Sequence, residues 1–353
     1  MQHEGGAKAR PKEDWMDKDL LAKTAQGMVA RGKGILAADE SSGTIKKRFD
    51  AIGVESTADT RRDYREMMFR SNEAMQKHIS GVILFDETIR QKAKDGTPLV
   101  KLIEAAGSIP GIKVDAGVKP MQNYPGEVTT EGLDGLGARM KEYFELGARF
   151  AKWRAVIDIG AGFPTYACIK ANAHALARYA AICQENNITP IVEPEVLMDG
   201  EHSIERCYEV TEAVLKRLYD ELYEARVFLE GTVLKPNMIV PGKLNGKKAS
   251  PEQVAEMTVR LFRHTVPVAV PGIAFLSGGQ ADVEATANLN AINGHKMPWA
   301  VTFSYGRALQ AAPQKAWSGK PENVGAGQAA FTHRARMNGL AAMGEWKAAM
   351  ENA

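Results

Sequence analysis

The sequence predicts a closed (β/α)₈ barrel, and three observations support this fold class. Eight short apolar runs rich in Val, Ile, Phe and Ala recur between longer segments of helical periodicity. Consecutive runs start 26 to 47 residues apart, which leaves room for the strand, helix and loops of a right-handed crossover in a parallel sheet. The length of 353 residues fits such a barrel with extensions, and the alternative is a doubly wound open sheet. The predicted strands begin near Lys33, Ser80, Gly111, Arg149, Thr189, Phe228, Gly272 and Pro298.

The segments between these strands carry helix signals. Several begin after Ser, Thr or Asp and end near Gly or Asn, as helix capping predicts. The predicted helices have the sequences DLLAKTAQGMVARG, TRRDYREMMFRSNEAM, TTEGLDGLGARMKEYFELG, ANAHALARYAAICQENN, SIERCYEVTEAVLKRLYDELYE, SPEQVAEMTVRLFRHT and ADVEATANLNAIN. A last Ala-rich segment, FTHRARMNGLAAMGEWKAAMENA, is expected to be helical and to lie outside the eight units.

The chain has no shift of composition that is typical of a linker. The stretch from Pro236 to Pro251 is rich in turn residues, but it falls inside one βα unit and is expected to be a loop over one face. We therefore expect a single domain over residues 1–353, with a barrel core at about 33–307 and a C-terminal helical segment and tail at 308–353.

Composition and charge argue against several classes of protein, namely nucleic-acid-binding, secreted, membrane and metal-binding proteins. Forty-five Lys and Arg against 43 Asp and Glu give a net charge of +2, which excludes the broad basic surface of a nucleic-acid-binding protein. The first 19 residues lack the apolar stretch of a secretory signal, and no run approaches 18 apolar residues, so we expect a cytoplasmic protein without a membrane partner. The seven histidines lie too far apart for a metal-ligand motif, so no metal site is expected.

Polar residues stand at the C-terminal ends of the predicted strands. In a parallel barrel these ends converge on one face, where catalysis is found. Pro194 and Pro236 support this placement, because proline disrupts a central strand except near its end. The polar residues are Asp39, Asp86, Glu87, Lys113, Asp115, Lys152, Arg154, Glu193, Glu195, Lys235, Ser277, Ser304 and Arg307.

Three of these residues are lysines, which suggests imine chemistry. An amine held among cations and partly desolvated has a lowered pKa, so it can attack a carbonyl near neutral pH and form a Schiff base. Lys113, Lys152 and Lys235 are the candidates, and Glu193 and Glu195 would transfer the protons. Residues two apart on a strand point the same way, so both glutamates can face the barrel mouth, as can Lys152 and Arg154.

Two segments are candidates for phosphate binding. The turn Ser277-Gly278-Gly279-Gln280 joins a strand to a helix, Gly306-Arg307 repeats the arrangement, and both follow the last two strands, where many barrels bind phosphate. A basic cluster, Lys46-Lys47-Arg48, follows the first strand. Two phosphate sites on one rim would suit a bisphosphorylated substrate. Asp86, Glu87 and Asp115 are interpreted as structural or rim carboxylates.

These residues lie in segments that resemble the class I fructose-bisphosphate aldolases from about Asp17 to Trp346. The matching segments are GKGILAADESSGTIKKR, GVILFDET, GIKVDAGV, TTEGLDGL, FAKWR, ARYAAICQ, PIVEPEVL, LEGTVLKPNM, FLSGGQ, LNAIN and PWAVTFSYGRALQ. So many long motifs in the same order make the resemblance highly specific.

The resemblance implies a role for each site residue. Lys235 would form the Schiff base and Glu193 would act as its acid and base, Lys152 and Glu195 would assist, and Asp39 would handle the hydroxyl proton. One phosphate would be bound by Ser277, Gly278, Gly279, Ser304, Gly306 and Arg307, the other by Ser41, Thr44, Arg48 and Lys113, and Arg154 would complete the charged mouth.

The resemblance also implies a function, the reversible cleavage of fructose 1,6-bisphosphate in glycolysis and gluconeogenesis. The reaction would take place in the cytosol and need no metal or other cofactor. Members of the family are usually homotetramers. Two alternatives stay open. The first is a lysine-imine enzyme that prefers fructose 1-phosphate or sedoheptulose 1,7-bisphosphate. The second is a scaffold or binding protein that has kept the fold and lost turnover.

Overall fold

The structure, a computed structural model, describes residues 15–352. Eight parallel strands close into a barrel in the order in which they follow one another along the chain, and the last strand pairs back to the first. These strands are β1 (Gly34–Ala38), β2 (Ile79–Leu84), β3 (Ile109–Lys113), β6 (Phe150–Ile157), β7 (Thr189–Val196), β8 (Val233–Leu234), β9 (Gly272–Phe275) and β10 (Ala300–Tyr305). The predicted (β/α)₈ fold class is confirmed.

Helices surround the barrel. They are α1 (Lys18–Met28), α2 (Ser42–Asp50), α3 (Ala58–Phe69), α4 (Asn72–Lys77), α5 (Asp86–Arg90), α6 (Leu99–Ala105), α7 (Leu136–Glu145), α8 (Tyr166–Glu185), α9 (Ile204–Glu224), α10 (Pro251–Thr265), α11 (Asp282–Asn293), α12 (Arg307–Trp317) and α13 (Val324–Ala341). Short 3₁₀ helices lie at Leu229–Gly231, Pro321–Asn323 and Ala348–Asn352. No helix within the described residues is long and apolar enough to cross a membrane.

Two layers of apolar side chains make the core. An inner cluster fills the barrel from strand residues such as Ile35, Phe150 and Ile191, and α1 closes its base with Met28. Phe150 occupies the space beside Gly111, where an added Cβ would lie 2.3 Å from its ring, so only glycine lets that ring cross the barrel. The larger outer cluster packs between the strands and the helices. A filled interior leaves the C-terminal mouth as the place where a ligand can enter.

Three predicted elements differ from the structure. The strand expected near Phe228 begins at Val233, because a 3₁₀ turn comes first. The start of the helix expected at TTEGLDG is instead β5 (Val128–Thr130), which pairs antiparallel with β4 (Val118–Pro120). The helix expected from Thr60 to Met75 is divided between α3 and α4, where the Ser71 hydroxyl donates to the carbonyl of Met67.

The C-terminal segment packs onto the helices that follow the barrel. Glu351 accepts hydrogen bonds from Arg334 on α13 and from the indole of Trp346, the latter at 3.0 Å. Arg334 is buried and also donates to Thr286 on α11, at 2.6 Å. These contacts support the single-domain division, which we keep as a proposal and which includes residues 1–14 and 353, outside the described part of the chain.

Candidate active site

A cavity of about 390 Å³ opens at the C-terminal ends of the strands. All the site residues expected from the sequence line it except Gly279. They are Asp39, Ser41, Thr44, Arg48, Lys113, Lys152, Arg154, Glu193, Glu195, Lys235, Ser277, Gly278, Ser304, Gly306 and Arg307. Seven of the eight strand ends contribute to this lining and bring residues nearly 270 positions apart in sequence into one polar pocket.

Lys152, on β6, is surrounded by carboxylates at the base of this pocket. Its Nζ lies 2.8 Å from Asp39 Oδ2, 3.4 Å from Glu193 Oε2 and 3.9 Å from Asp115 Oδ2, and the side chain is only 5% exposed. Burial alone would lower the pKa of Lys152, but the three carboxylates raise it well above its usual value. Lys152 is therefore held as a cation across the whole neutral range.

Asp39, at the end of β1, is the matching anion. Burial alone would raise the pKa of Asp39, but the charges of Lys152, Lys113 and Lys235 outweigh it and hold this pKa well below its usual value. The carboxylate is therefore ionised at neutral pH.

Lys235 follows β8 and has a different neighbourhood. Its Nζ lies 3.1 Å from Glu193 Oε1, and both side chains are nearly inaccessible, at 5% and 4% exposed. β8 contributes only two residues to the sheet, and the amide of Lys235 still donates to the carbonyl of Val192 on β7 at 2.9 Å. This backbone bond fixes Lys235 beside the strand that carries Glu193.

Arg154 and Glu195 form an ion pair across β6 and β7 on the same wall. The loop after β9 packs directly on that pair, since a Cβ added at Gly278 would lie 2.7 Å from Glu195 Oε1. A larger residue at position 278 would therefore have to displace the carboxylate of Glu195.

Polar groups at two sides of the rim are suited to anions. On one side, Ser304 on β10 has a buried hydroxyl without a hydrogen-bond partner in the described chain, and Arg307 begins α12. On the other side, Ser41 and Thr44 face each other at 3.1 Å between their hydroxyl oxygens, near Arg48. Gly279 has a φ of +79° and lines a neighbouring cavity of about 210 Å³ instead, beside Met198 and Lys243.

Two carboxylates of the pocket were not among the site residues expected from the sequence. Glu40 is buried and lies next to Asp39 in the segment AADES. Asp115, interpreted as structural or at the rim, reaches Lys152 and also accepts from the backbone amide of Arg154 at 3.3 Å. The signal for Asp115 was present, because Lys113 and Asp115 are two residues apart at a strand end and share a face.

No group of three or more His, Cys, Asp or Glu side chains within residues 15–352 is arranged to hold a metal ion. The chemistry of the pocket is that of amines, carboxylates and guanidinium groups. An amine beside a carboxylate, both shielded from water, can exchange a proton and attack a carbonyl.

The comparisons with known proteins agree with this chemistry. The family model described as fructose-bisphosphate aldolase class-I matches residues 20–353. The probable fructose-bisphosphate aldolase class 1 of Xanthomonas campestris is 56% identical over 334 residues, which cover 94% of this chain and 100% of the relative. Cytosolic fructose-bisphosphate aldolase 4 of Arabidopsis thaliana is also 56% identical, over 93% of this chain and 84% of the relative.

A solved structure is similar over nearly the same span. It is the fructose-bisphosphate aldolase of Plasmodium falciparum in complex with TRAP and a small-molecule inhibitor, with a TM-score of 0.91 and 50% identity, covering 94% of this chain and 96% of that one. The chain therefore belongs to the class I fructose-bisphosphate aldolase family, whose members are carbon–carbon lyases that act through a lysine Schiff base.

Proposed function

We propose that this chain reversibly cleaves fructose 1,6-bisphosphate to dihydroxyacetone phosphate and glyceraldehyde 3-phosphate through an imine on Lys235, without a metal or other cofactor. The observation that carries the proposal is the contact between Lys235 Nζ and Glu193 Oε1, at 3.1 Å between two side chains that are nearly inaccessible to water. A lysine needs such a neighbouring base to become a neutral nucleophile.

Imine formation uses Lys235 and Glu193. Glu193 accepts a proton from the ammonium of Lys235, and the neutral amine then attacks the C2 carbonyl of the ketose to give a carbinolamine. Glu193 returns the proton to the C2 hydroxyl, which leaves as water and yields a protonated imine. Lys152 remains a cation 3.4 Å from the other oxygen of Glu193.

Carbon–carbon cleavage uses the electron demand of that imine. Asp39, ionised beside Lys152, accepts the proton of the C4 hydroxyl. The electrons of the C3–C4 bond move to the imine nitrogen, glyceraldehyde 3-phosphate leaves, and an enamine remains on Lys235. Protonation of C3 and hydrolysis of the imine then release dihydroxyacetone phosphate and the free lysine.

The arrangement of charge supports a substrate with two phosphates. Lys152, Arg154, Lys235 and Arg48 each have a carboxylate partner within 4 Å. Lys113 and Arg307 have none among the described residues, and they lie on different sides of the pocket, one on β3 and one after β10. Two unpaired cations are suited to two phosphate groups.

The order of the strands indicates which phosphate each side would take. Lys235 after β8 is followed around the barrel by Ser277 after β9 and by Ser304 and Arg307 at β10, so this side suits the phosphate on C1, next to the reacting carbon. Ser41, Thr44, Arg48 and Lys113, beyond β10 at β1 and β3, suit the phosphate on C6. Arg154, on β6, comes next after Lys113 on β3 in the strand order and completes the charged mouth.

We further propose a cytoplasmic location and a homotetramer. The first is supported by the cytosolic relative in Arabidopsis thaliana, and the second rests on the resemblance to the family. Sedimentation velocity tests the tetramer, which a monomeric protein at micromolar concentration would contradict.

Borohydride trapping tests the proposed chemistry. Reduction in the presence of fructose 1,6-bisphosphate should attach the triose- or ketose-derived mass to Lys235, and EDTA should leave turnover unchanged. Lys235→Met should abolish labelling and turnover. Lys243→Met is the matched control, because Lys243 is 41% exposed and pairs with Asp199 outside the pocket, so labelling and turnover should stay normal.

The same experiment distinguishes the alternatives. Labelling at a lysine other than Lys235 contradicts the assigned nucleophile. Normal labelling with faster turnover of fructose 1-phosphate or sedoheptulose 1,7-bisphosphate identifies a different preferred ketose, and a protein with neither labelling nor turnover is the silent scaffold.

A further inference from the structure

Glu40 carries a negative charge in a pocket that is proposed to bind negatively charged phosphate groups. It lines the cavity, yet its side chain is only 5% exposed. An unpaired carboxylate in this place would repel a phosphate and would be costly to bury. The role of Glu40 therefore depends on the side chains that it contacts.

The partners of Glu40 come from three helices. Its Oε1 accepts from Arg48 Nη1, in the last turn of α2, at 2.5 Å and from Gln310 Nε2, on α12, at 2.7 Å. Arg65 on α3 donates from Nη2 to the carbonyl of Glu40 at 2.9 Å and lies 3.8 Å from its carboxylate. The charge of Glu40 is thus neutralised by two arginines and is not offered to the substrate.

These partners are themselves fixed. Arg65 is 1% exposed and lies 3.6 Å from Glu87, which pairs in turn with Arg61. Gln310 is 1% exposed and also donates to the carbonyl of Ala37, on β1, at 2.6 Å. Arg65 and Gln310 are thus each tied to a second element, although Glu40 Oε2 and Arg65 Nε and Nη1 make no hydrogen bond within the described residues. The hydrogen bonds that are made restrict the direction of the Glu40 carboxylate.

Arg48 is the member that reaches the pocket. Its Nη1 donates to Glu40, while its Nη2 lies 3.7 Å from the Cβ position of Gly306, where the β1 side of the pocket meets the β10 side. The guanidinium is planar, so fixing one edge also fixes the direction of the other.

We propose that Glu40 is a positioning residue that acts through Arg48: it holds the guanidinium ready for the substrate phosphate farther from the reacting carbonyl. This inference rests on the proposed function. Glu40 does not itself bind phosphate in this proposal, but it contributes to the selectivity for bisphosphorylated over monophosphorylated ketoses. An arginine without this support would have to be ordered by the substrate itself, which weakens binding.

Steady-state kinetics with two substrates test the proposal. In Glu40→Ala the KM for fructose 1,6-bisphosphate should rise about tenfold, the scale of one charge-assisted hydrogen bond, with kcat changed less than about twofold. The kinetics with fructose 1-phosphate, which lacks the distal phosphate, should be unchanged and show that the site is folded. Glu40→Gln should restore most of the affinity, because its amide oxygen can still accept from Arg48 and Gln310.

Further variants separate the possible failures. Arg48→Ala should give the same loss for the bisphosphate, and adding Glu40→Ala to it should cost little more. If Glu40→Ala does not fold, Gln310→Met, which removes the amide that holds Oε1, should give a smaller loss of about threefold with the same selectivity for the bisphosphate.

Three results would each overturn the positioning role. The first is an equal loss of affinity for both substrates, and the second is an equal loss in Glu40→Ala and Glu40→Gln. The third is full additivity of the losses in Glu40→Ala and Arg48→Ala. A failure of the proposed function has a different appearance. In that case the wild-type protein shows no borohydride trapping at Lys235, whereas unchanged bisphosphate kinetics in Arg48→Ala would overturn the positioning role alone.

Discussion

Replacing Lys152 by methionine should destabilise the protein in a pH-dependent way. The substitution keeps the bulk of the side chain and leaves Asp39, Glu193 and Asp115 without their shared cation. Removing one partner of a buried ion pair costs about 3–5 kcal/mol. Glu193 keeps Lys235 at 3.1 Å and Asp115 keeps two backbone amides, so we expect a loss of about 3 kcal/mol at pH 8, the low end of that range.

The sign of the pH dependence follows from Asp39. In the wild type its folded pKa lies below the unfolded value, so its stabilisation is present at neutral pH and is lost only in strong acid. In Lys152→Met the crowded carboxylates should have at least one folded pKa above the unfolded value, so the folded variant takes up a proton as the pH falls. The difference in unfolding free energy between the two proteins should therefore shrink by about 1 kcal/mol from pH 8 to pH 5.5.

Urea unfolding at a fixed protomer concentration measures this difference. Lys243→Met is the control, because it removes an exposed lysine whose partner Asp199 is 62% exposed, and it should cost at most about 1 kcal/mol at either pH. The kcat of Lys152→Met should also fall by about 100-fold or more, the scale of lost proton-transfer assistance. A stability loss equal to that of the control, or one independent of pH, would refute the view that Lys152 is the counter-charge of the three carboxylates.

Three further variants test separate parts of the pocket. Asp115→Asn should lower kcat about tenfold with little change in KM, because Lys152 loses one of its counter-charges, and unchanged kcat would restrict Asp115 to capping its loop. Gly278→Ala should lower kcat/KM at least about tenfold by displacing Glu195. Gly137→Ala is the control, because Gly137 lies in open space on α7, and it should change the free energy of unfolding by only about 0.5–1 kcal/mol and leave kcat and KM unchanged. Lys113→Met should move the acid limb of the pH profile of kcat/KM upward, because one of the charges that lower the pKa of Asp39 is lost, and an unmoved limb would remove Asp39 from the kinetic step.

Local signals in the sequence were sufficient for the fold class and most strand positions. They failed where a distant contact decides the local structure. The strand expected at Phe228 begins five residues later, because the backbone of Phe228 is hydrogen-bonded to the side chain of Gln184 on α8. The Phe228 amide donates to Gln184 Oε1 at 2.9 Å, and Gln184 Nε2 donates to the Phe228 carbonyl at 2.7 Å. The TTE segment became a strand because Val118–Pro120 pairs with it, and no periodicity within the segment carries that information.

Most of the expected site residues followed from a simple rule, that polar groups at strand ends of a parallel barrel share one face. Ser41 and Thr44 were expected from the resemblance to the family. The rule does not say which groups touch. The 2.8 Å contact of Lys152 with Asp39 joins β6 to β1, which are not neighbours in the barrel, and it depends on closure of all eight strands. Glu40 shows the same limit, since its role depends on Arg65 and Gln310, which are far from it in sequence.

Contacts of this kind also separate the three candidate lysines. Lys152 is held charged by three carboxylates, and an ammonium without a free electron pair cannot attack a carbonyl. Lys113 lies with its Nζ 5.1 Å above the ring of Phe85, and it has no carboxylate within 4 Å among the described residues to accept its proton. Lys235 has a single buried carboxylate at 3.1 Å, which can take the proton and later return it to the leaving hydroxyl. We therefore propose Lys235 as the nucleophile, because its partner Glu193 is placed to exchange one proton in both directions.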